Sequence, residues 1–110
     1  MCQAVILNMK GNTMISYCST CQCHYIWQQS FLLTFSLHGF RCFANEVEQA
    51  STHREYVRFP DGALRTFLQT PTYEILLTFT KTEWQDFALA VQEAEYMREV
   101  YGIINNDIKS

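Results

Sequence analysis

The chain has 110 residues, of which 48% are hydrophobic and 17% charged, the composition of a single globular domain and not of a disordered chain. Its net charge of −3 has the wrong sign for binding a nucleic acid backbone. No apolar run reaches the roughly 18 residues that a membrane-spanning helix needs. The N-terminal residues lack the pattern of a secretory signal, so we expect a cytoplasmic protein.

The first half of the chain has the pattern of four strands followed by a helix. The strands are predicted at 3–9, 13–17, 23–28 and 31–36, with the first hairpin turning at 10–12. The spacing i, i+3, i+4, i+7 then predicts a helix over about 37–52, and its apolar face consists of Phe40, Phe43, Ala44 and Val47. Ser36 is the predicted cap of this helix.

The second half has three predicted strands and a longer helix. A Pro60-Asp61-Gly62 turn joins strands at 54–59 and 63–69, and a third strand covers 73–80. A helix is predicted over about 81–102, with an apolar face of Trp84, Phe87, Ala88 and Val91. Thr80 and Glu83 have the spacing of a capping box. Gly102 is the predicted helix end, which leaves 103–110 as a dispensable tail.

The two halves are similar to each other at an offset of 44 residues. Residues 31–50 align without gaps with 75–94, and eight of these positions are identical. The identities fall on positions that pattern alone puts in a core. We therefore predict an α+β fold of two tandem βββα units, about 12–53 and 54–102, related by a pseudo-two-fold axis. Both helices would pack on a mostly antiparallel sheet.

The N-terminal half contains a cluster of cysteines. Cys18 and Cys21 form a C-x-x-C at a hairpin turn, where two thiolates can converge on Zn²⁺. If the first hairpin turns at Gly11-Asn12, residue i pairs with residue 23 − i, which puts Cys2 opposite Cys21. The fourth ligand is Cys23 or His24, which point to opposite faces of a strand. We favour Cys23, so the predicted structural zinc site is Cys2, Cys18, Cys21 and Cys23.

The same C-x-x-C permits a second interpretation, a small thiol-redox protein that uses Cys18 and Cys21. Redox motifs of this kind precede a helix, whose N-terminus lowers the thiol pKa. Here a strand is predicted to follow, which favours zinc. His38 and Cys42, four residues apart on the first helix, could pair as base and thiol, but a solvated helix face is the simpler interpretation.

Other catalytic patterns receive little support. The sequence contains no dinucleotide-binding, P-loop or nucleophile-elbow motif. Glutamates are frequent on both helices, as is ordinary for solvated helix faces, and none is marked as buried. The carboxylates that could form acid/base pairs are Glu46, Glu48, Glu93, Glu95 and Glu99. We therefore favour a non-enzymatic protein.

The second helix carries an additional apolar stripe on the face away from its predicted core side. A helix with two apolar faces is covered on both sides. The stripe could be covered by a second copy in a homodimer, by the tail folding back, or by a partner, and we favour the homodimer. The residues of this predicted interface are Leu89, Tyr96, Met97, Val100 and Tyr101.

Several of these features occur together in one known group of proteins. With Met1-Cys2 at its start, an apolar strand before Cys18-x-x-Cys21 and two strand-plus-helix units, the chain resembles a family of small uncharacterised Bacteroidetes proteins of similar length. The resemblance covers nearly the whole chain. It implies a cytosolic protein with a metal cluster at Cys2, Cys18 and Cys21, and it implies no enzymatic activity.

The functional prediction is a zinc-stabilised, non-enzymatic interaction or regulatory module. A thiol-redox protein is the first alternative. The second alternative is a small-ligand-binding protein with a cleft between the two halves, for which aromatic side chains are the candidates. These are Tyr25, Trp27 and Tyr73.

Overall fold

A computed structural model describes residues 4–50, 54–70, 72 and 74–109, with side chains described as far as Tyr101. Within these ranges the strands form two antiparallel sheets, one of four strands in the order β1-β2-β3-β4 and one of three in the order β5-β6-β7. Together with two helices they confirm the α+β class. The elements are β1 (Val5–Lys10), β2 (Thr13–Cys18), β3 (Cys23–Gln28), β4 (Phe31–Ser36), α1 (Leu37–Ala50), β5 (Val57–Arg58), β6 (Leu64–Gln69), β7 (Leu76–Phe79) and α2 (Lys81–Lys109).

The first hairpin, β1 and β2, has the predicted register next to its turn. Lys10 pairs with Thr13 and Asn8 with Ile15, so that the paired numbers add to 23. The register then shifts between Ile6 and Asn8, and beyond this irregularity the paired numbers add to 22. A bulge of this kind bends the bulged strand and increases its twist. The predicted alignment of Cys2 with Cys21 lies outside the described residues.

The second hairpin, β5 and β6, turns at the predicted residues 60–62. Gly62 has a φ of 85°, a conformation that glycine adopts without a steric penalty. The Asp61 carboxylate accepts a hydrogen bond of 3.0 Å from the backbone N–H of Ala63 and two more from the Arg65 guanidinium. These bonds fix the turn from both ends. The paired strands are shorter than predicted, because β5 contains two residues only.

Both predicted helix caps are confirmed. Ser36 Oγ accepts a hydrogen bond of 3.1 Å from the backbone N–H of Gly39 at the start of α1. At the start of α2 the capping box is complete, because Thr80 Oγ1 accepts a bond from the backbone N–H of Glu83 and the Glu83 carboxylate accepts one of 2.8 Å from the backbone N–H of Thr80. Each of these bonds satisfies an N–H group that the helix itself leaves unpaired.

The helices differ in how well their C-terminal ends were predicted. α1 ends at Ala50, and the last two residues of its predicted span lie outside the described residues. α2 continues through Gly102 to Lys109, so the predicted end at 102 and the separate tail are wrong. A glycine inside a helix costs only about 1 kcal/mol, which the surrounding turns can offset. None of the described helices has the length and apolarity of a membrane span.

One hydrophobic core lies between the helices and the two sheets. The predicted apolar faces of both helices point into it, and Phe43 of α1 meets Phe87 of α2 edge to face at 6.2 Å between ring centroids. α2 also lies against β1, where Asn8 Nδ2 donates a hydrogen bond of 2.6 Å to Glu93. The helix of the second half therefore covers the N-terminal hairpin of the first half.

Candidate functional site

The cysteine hairpin consists of the end of β2, the start of β3 and the turn between them. Cys18 and Cys23 are directly paired across this hairpin, and paired residues point to the same face of a sheet. Cys21 lies in the turn, where its carbonyl oxygen accepts a hydrogen bond of 3.4 Å from Cys23 Sγ. Gln22, in the same turn, has a φ of 56°, which is unusual for a residue other than glycine. The strand pairing thus places Cys18 and Cys23 on one face.

The alternative fourth ligand, His24, lies away from this face. His24 lies on the opposite face of β3 and is fully buried, which favours Cys23 as the candidate ligand. Cys2 lies outside the described residues. Within the described ranges, no three His, Cys, Asp or Glu side chains are grouped so that they could hold a metal ion. Zinc binding therefore stays a prediction.

The redox interpretation requires a helix after the C-x-x-C, and the chain does not provide one. β3 begins at Cys23, two residues after Cys21. The thiols therefore lack the helix N-terminus that stabilises the reactive thiolate in oxidoreductases of this type.

His38 and Cys42 are adjacent on α1, as their spacing predicts. Cys42 Sγ lies 3.6 Å from His38 Nε2, and both side chains are exposed. The glutamates considered as acid/base residues mostly take part in ion pairs. Glu93 lies 3.4 Å from Lys10 Nζ, and Glu95 lies 2.6 Å from Arg98 Nη2. The first contact connects α2 to β1, the second lies within α2, and both are typical of structural ion pairs.

The predicted interface on α2 divides into exposed and packed residues. Leu89, Tyr96 and Tyr101 are exposed, and Tyr96 is the most exposed of the three at 66%. Met97 packs against the core, and Val100 is half-buried. Residues 103–109 continue the helix and so do not fold back over this stripe, as one alternative required.

Beside Tyr96 a groove runs between the two helices. Its volume is about 760 Å³. Among the described residues that line it, Arg41 is the one cation, against three carboxylates. We call this feature the α1–α2 groove; its lining residues are His38, Arg41, Cys42, Ala44, Asn45, Glu48, Gln92, Glu95, Tyr96 and Glu99.

The four-stranded sheet has a second surface, on the side away from the helices, which sequence reasoning did not single out. An antiparallel sheet covered on one side usually has polar residues on the other. Here the described residues of that side include no Asp, Glu, Lys or Arg. We call this side the outer sheet face; it consists of Ile6, Met9, Met14, Ser16, Cys18, Cys23, Tyr25, Trp27, Leu32, Thr34 and Ser36.

The aromatic residues predicted to line a ligand cleft lie on this face. Tyr25 and Trp27 border a depression of about 180 Å³, which is smaller than most small-molecule sites. They therefore do not line a cleft between the two halves, because the helices and the core are on the opposite side of the sheet. Tyr73 lies outside the described residues.

His24, considered above as an alternative zinc ligand, is a buried residue whose burial no sequence pattern indicated. Its ring is inaccessible to solvent, stacks on Phe40 at 4.4 Å between centroids and contacts the tilted ring of Tyr17 at 4.6 Å. Among the described residues neither ring nitrogen has a hydrogen-bond partner. The pKa of His24 is lowered from 6.5 to about 4, mainly by burial and in smaller part by the positive charge of Arg98, while the negative charge of Glu95 opposes both. The imidazole is thus neutral in the folded protein at neutral pH.

Comparison of the chain with protein-family models, with curated proteins and with solved structures finds no match in any of the three. The resemblance to small Bacteroidetes proteins accordingly stays a prediction.

Proposed function

We propose that the protein is a non-enzymatic interaction module that binds a basic, amphipathic segment of a partner protein in the α1–α2 groove. The observation that carries this proposal is Tyr96, which is largely exposed at the side of an acidic groove. Exposed tyrosines are frequent anchors of protein interfaces, and an amphipathic helix in a groove is a common mode of recognition. Leu89, two helical turns before Tyr96, extends the apolar contact.

The charge of the groove favours a basic partner over a second copy of the chain on this surface. Each copy has a net charge of −3, and the groove contributes Glu48, Glu95 and Glu99 against Arg41. Two such surfaces brought together would place like charges opposite one another. A partner segment with lysine or arginine beside its apolar stripe would instead have the charge opposite to the net charge of this groove lining.

The test uses two designed peptides of about 18 residues, a length that gives a stable amphipathic helix on binding. Both carry leucine at i, i+3, i+4 and i+7, one with lysine and the other with glutamate at the remaining positions. Fluorescence anisotropy should show binding of the lysine peptide that is at least about tenfold tighter, and that weakens as salt is added. Equal affinity for the two peptides would contradict the proposal.

Two variants locate the binding surface. Tyr96→Ala should weaken binding of the lysine peptide by about tenfold or more, because it removes the anchor of the groove. Phe67→Ala serves as the matched control, since Phe67 is an exposed aromatic residue on β6, which does not line the groove. If both variants bind as the unchanged chain does, the α1–α2 groove is not the site.

The module would be stabilised by zinc at the cysteine hairpin. The pairing of Cys18 with Cys23 on one face supports two of the four ligands, and Cys21, in the turn between them, and Cys2 would complete the set. A site with four sulfur ligands is closed to substrates and therefore structural. Its role would be to fix the hairpin.

Metal analysis of protein purified without added zinc tests this part. We expect one equivalent of zinc, which the Cys18→Ser/Cys21→Ser double variant loses together with much of its stability. Cys42→Ser, on the exposed face of α1, should retain the metal. Protein that is metal-free and folded, with reversible oxidation of Cys18 and Cys21, would instead support the redox alternative.

The fold itself would derive from duplication of a βββα unit. The repeated sequence at 31–50 and 75–94, the equivalent caps at Ser36 and Thr80, and the order of elements support this origin. Superposition of the two units in an experimental structure tests it. Units that do not superpose after rotation would rule out the pseudo-two-fold axis.

A further inference from the structure

The outer sheet face lacks charged residues, and all of its residues except Ser16 and Cys18 are half-buried or exposed. Trp27, on the inner strand β3, is 39% exposed, and Ile6 and Leu32, on the two edge strands, are exposed as well. Contiguous apolar surface of this kind marks an interaction site in soluble proteins. None of the described residues on this face is acidic or basic.

We propose that the outer sheet face is the contact surface of a weak homodimer, formed by packing the four-stranded sheets of two copies face to face. This surface differs from the α1–α2 groove, so the inference does not rest on the proposed partner binding.

Charge argues for a second copy as the occupant. Two chains of net charge −3 repel each other, and they meet at the lowest electrostatic cost where neither presents a charged group. Away from Cys18 and Cys23, where the proposed zinc site would carry charge, the outer sheet face meets this condition, whereas the helical side, with Glu48, Glu95 and Glu99, does not. The C-terminal residues 103–109 continue α2, which packs on the inner side of the sheet, so they do not cover this face.

The shape of the outer sheet face is compatible with packing against the same face of a second copy. A depression of about 180 Å³ lies beside the protruding ring of Trp27, among residues of all four strands. Cavities of about 150 Å³ accept a benzene ring, so this one could receive an aromatic side chain from the second copy. In a two-fold interface each copy provides both the ring and the depression. Sheets stacked in this way lie about 10 Å apart.

The area of the face sets the expected affinity. Four strands of six residues cover roughly 20 Å by 20 Å, or about 400 Å² of flat area per copy. A standard stable interface buries about 800 Å² per partner. We therefore expect a monomer–dimer equilibrium with a dissociation constant in the micromolar range, and not a permanent dimer.

Sedimentation equilibrium and tryptophan fluorescence test the proposal together. The mass should rise from monomer to dimer between about 1 μM and about 1 mM protein. Because Trp84 is only 3% exposed, quenching by iodide reports mainly on Trp27, the other of the two tryptophans. The quenching constant should fall at least about twofold on dimerisation, since the ring leaves solvent.

Lysine substitutions on the edge strands provide the variants. Leu32→Lys and Ile6→Lys should each raise the dissociation constant by about tenfold or more, because two buried like charges would face each other. Phe67→Lys, an equally exposed position on β6, should leave it unchanged. Circular dichroism and thermal unfolding should show that all three variants are folded.

Three results would overturn the proposal. These are a monomer at every concentration, a dimer in which Trp27 stays as accessible to iodide as in the monomer, and a dimer that Leu89→Lys dissociates while Leu32→Lys does not. The last result would assign self-association to α2. Failure of the lysine peptide to bind the α1–α2 groove would leave all of these measurements unaffected.

Discussion

At the scale of single residues, the burial of His24 has an unfavourable effect on the free energy of folding. A buried imidazole with two unpaired ring nitrogens loses its hydrogen bonds to water on folding, which costs about 1–3 kcal/mol. The contacts of the His24 ring with the rings of Tyr17 and Phe40 compensate part of this loss. His24→Phe keeps the ring and removes the unpaired nitrogens, so the variant should be more stable at pH 7 by about 1 kcal/mol in urea unfolding. A less stable variant would indicate hydrogen bonding to the ring.

The lowered pKa of His24 predicts that the stability of the fold depends on pH. The pKa of His24 is about 4 in the folded chain and 6.5 in the unfolded chain, so the unfolded chain binds the additional proton between these values. Stability should fall as the pH falls through this window, by about 3 kcal/mol in total. The measurement is the difference between the unfolding curves of the original chain and His24→Phe; His38→Gln, at an exposed position, should follow the original chain.

Gly11 is required at the first turn by both its backbone and its surroundings. Its φ is 53°, and a Cβ atom there would lie 2.5 Å from Asp86 Oδ2 on α2. Gly11→Ala should lower the free energy of unfolding by about 2 kcal/mol or more. Gly62→Ala is the matched control, because Gly62 also has a positive φ but has open space where a Cβ atom would lie. Its loss should be smaller, about 1 kcal/mol.

A second substitution separates the two causes at Gly11. Asp86→Ala should recover part of the loss in the Gly11→Ala background, because it removes the steric conflict and leaves the backbone strain. Additive effects of Gly11→Ala and Asp86→Ala would show that strain alone accounts for the loss.

At the scale of the elements, the caps make a testable difference to α2. Thr80→Ala removes the hydroxyl that accepts the N–H of Glu83 and should cost about 1 kcal/mol in thermal or urea unfolding. Thr82→Ala, two residues further and exposed, should change stability by less than about 0.5 kcal/mol. Equal losses would indicate that helix propensity, and not the cap, determines the effect.

The elements were largely predictable because local signals define them. The caps at Ser36 and Thr80 and the turn at 60–62 depend on residues close in sequence, and all three occur as predicted. The end of α2 was predicted wrongly because a glycine often ends a helix. Whether the helix ends at Gly102 depends on the stability of the turns around it. The bulge near Asn8 shifts pairing by one residue, which no periodic pattern encodes.

At the scale of the whole molecule, long-range packing decided what the sequence left open. On β3 both faces carry large residues, Ile26 inside and Trp27 outside, so alternation gave no direction to the strand. His24 was buried by its neighbours across the sheet and on α1. The acidic groove likewise arises from residues far apart in sequence, on α1 and α2, whereas the outer sheet face depends on which side of four successive strands faces the core.

The contact of α2 with β1 has a consequence for synthesis on the ribosome. Glu93, which accepts the hydrogen bond of the Asn8 side chain, is synthesised 85 residues after Asn8. Until then the nascent N-terminal sheet has apolar residues on both of its sides, because its helical cover is still missing. Edge strands in this state are prone to aggregate, so protection by a chaperone, or rapid release of the finished polypeptide, would matter more for this chain than its small size suggests.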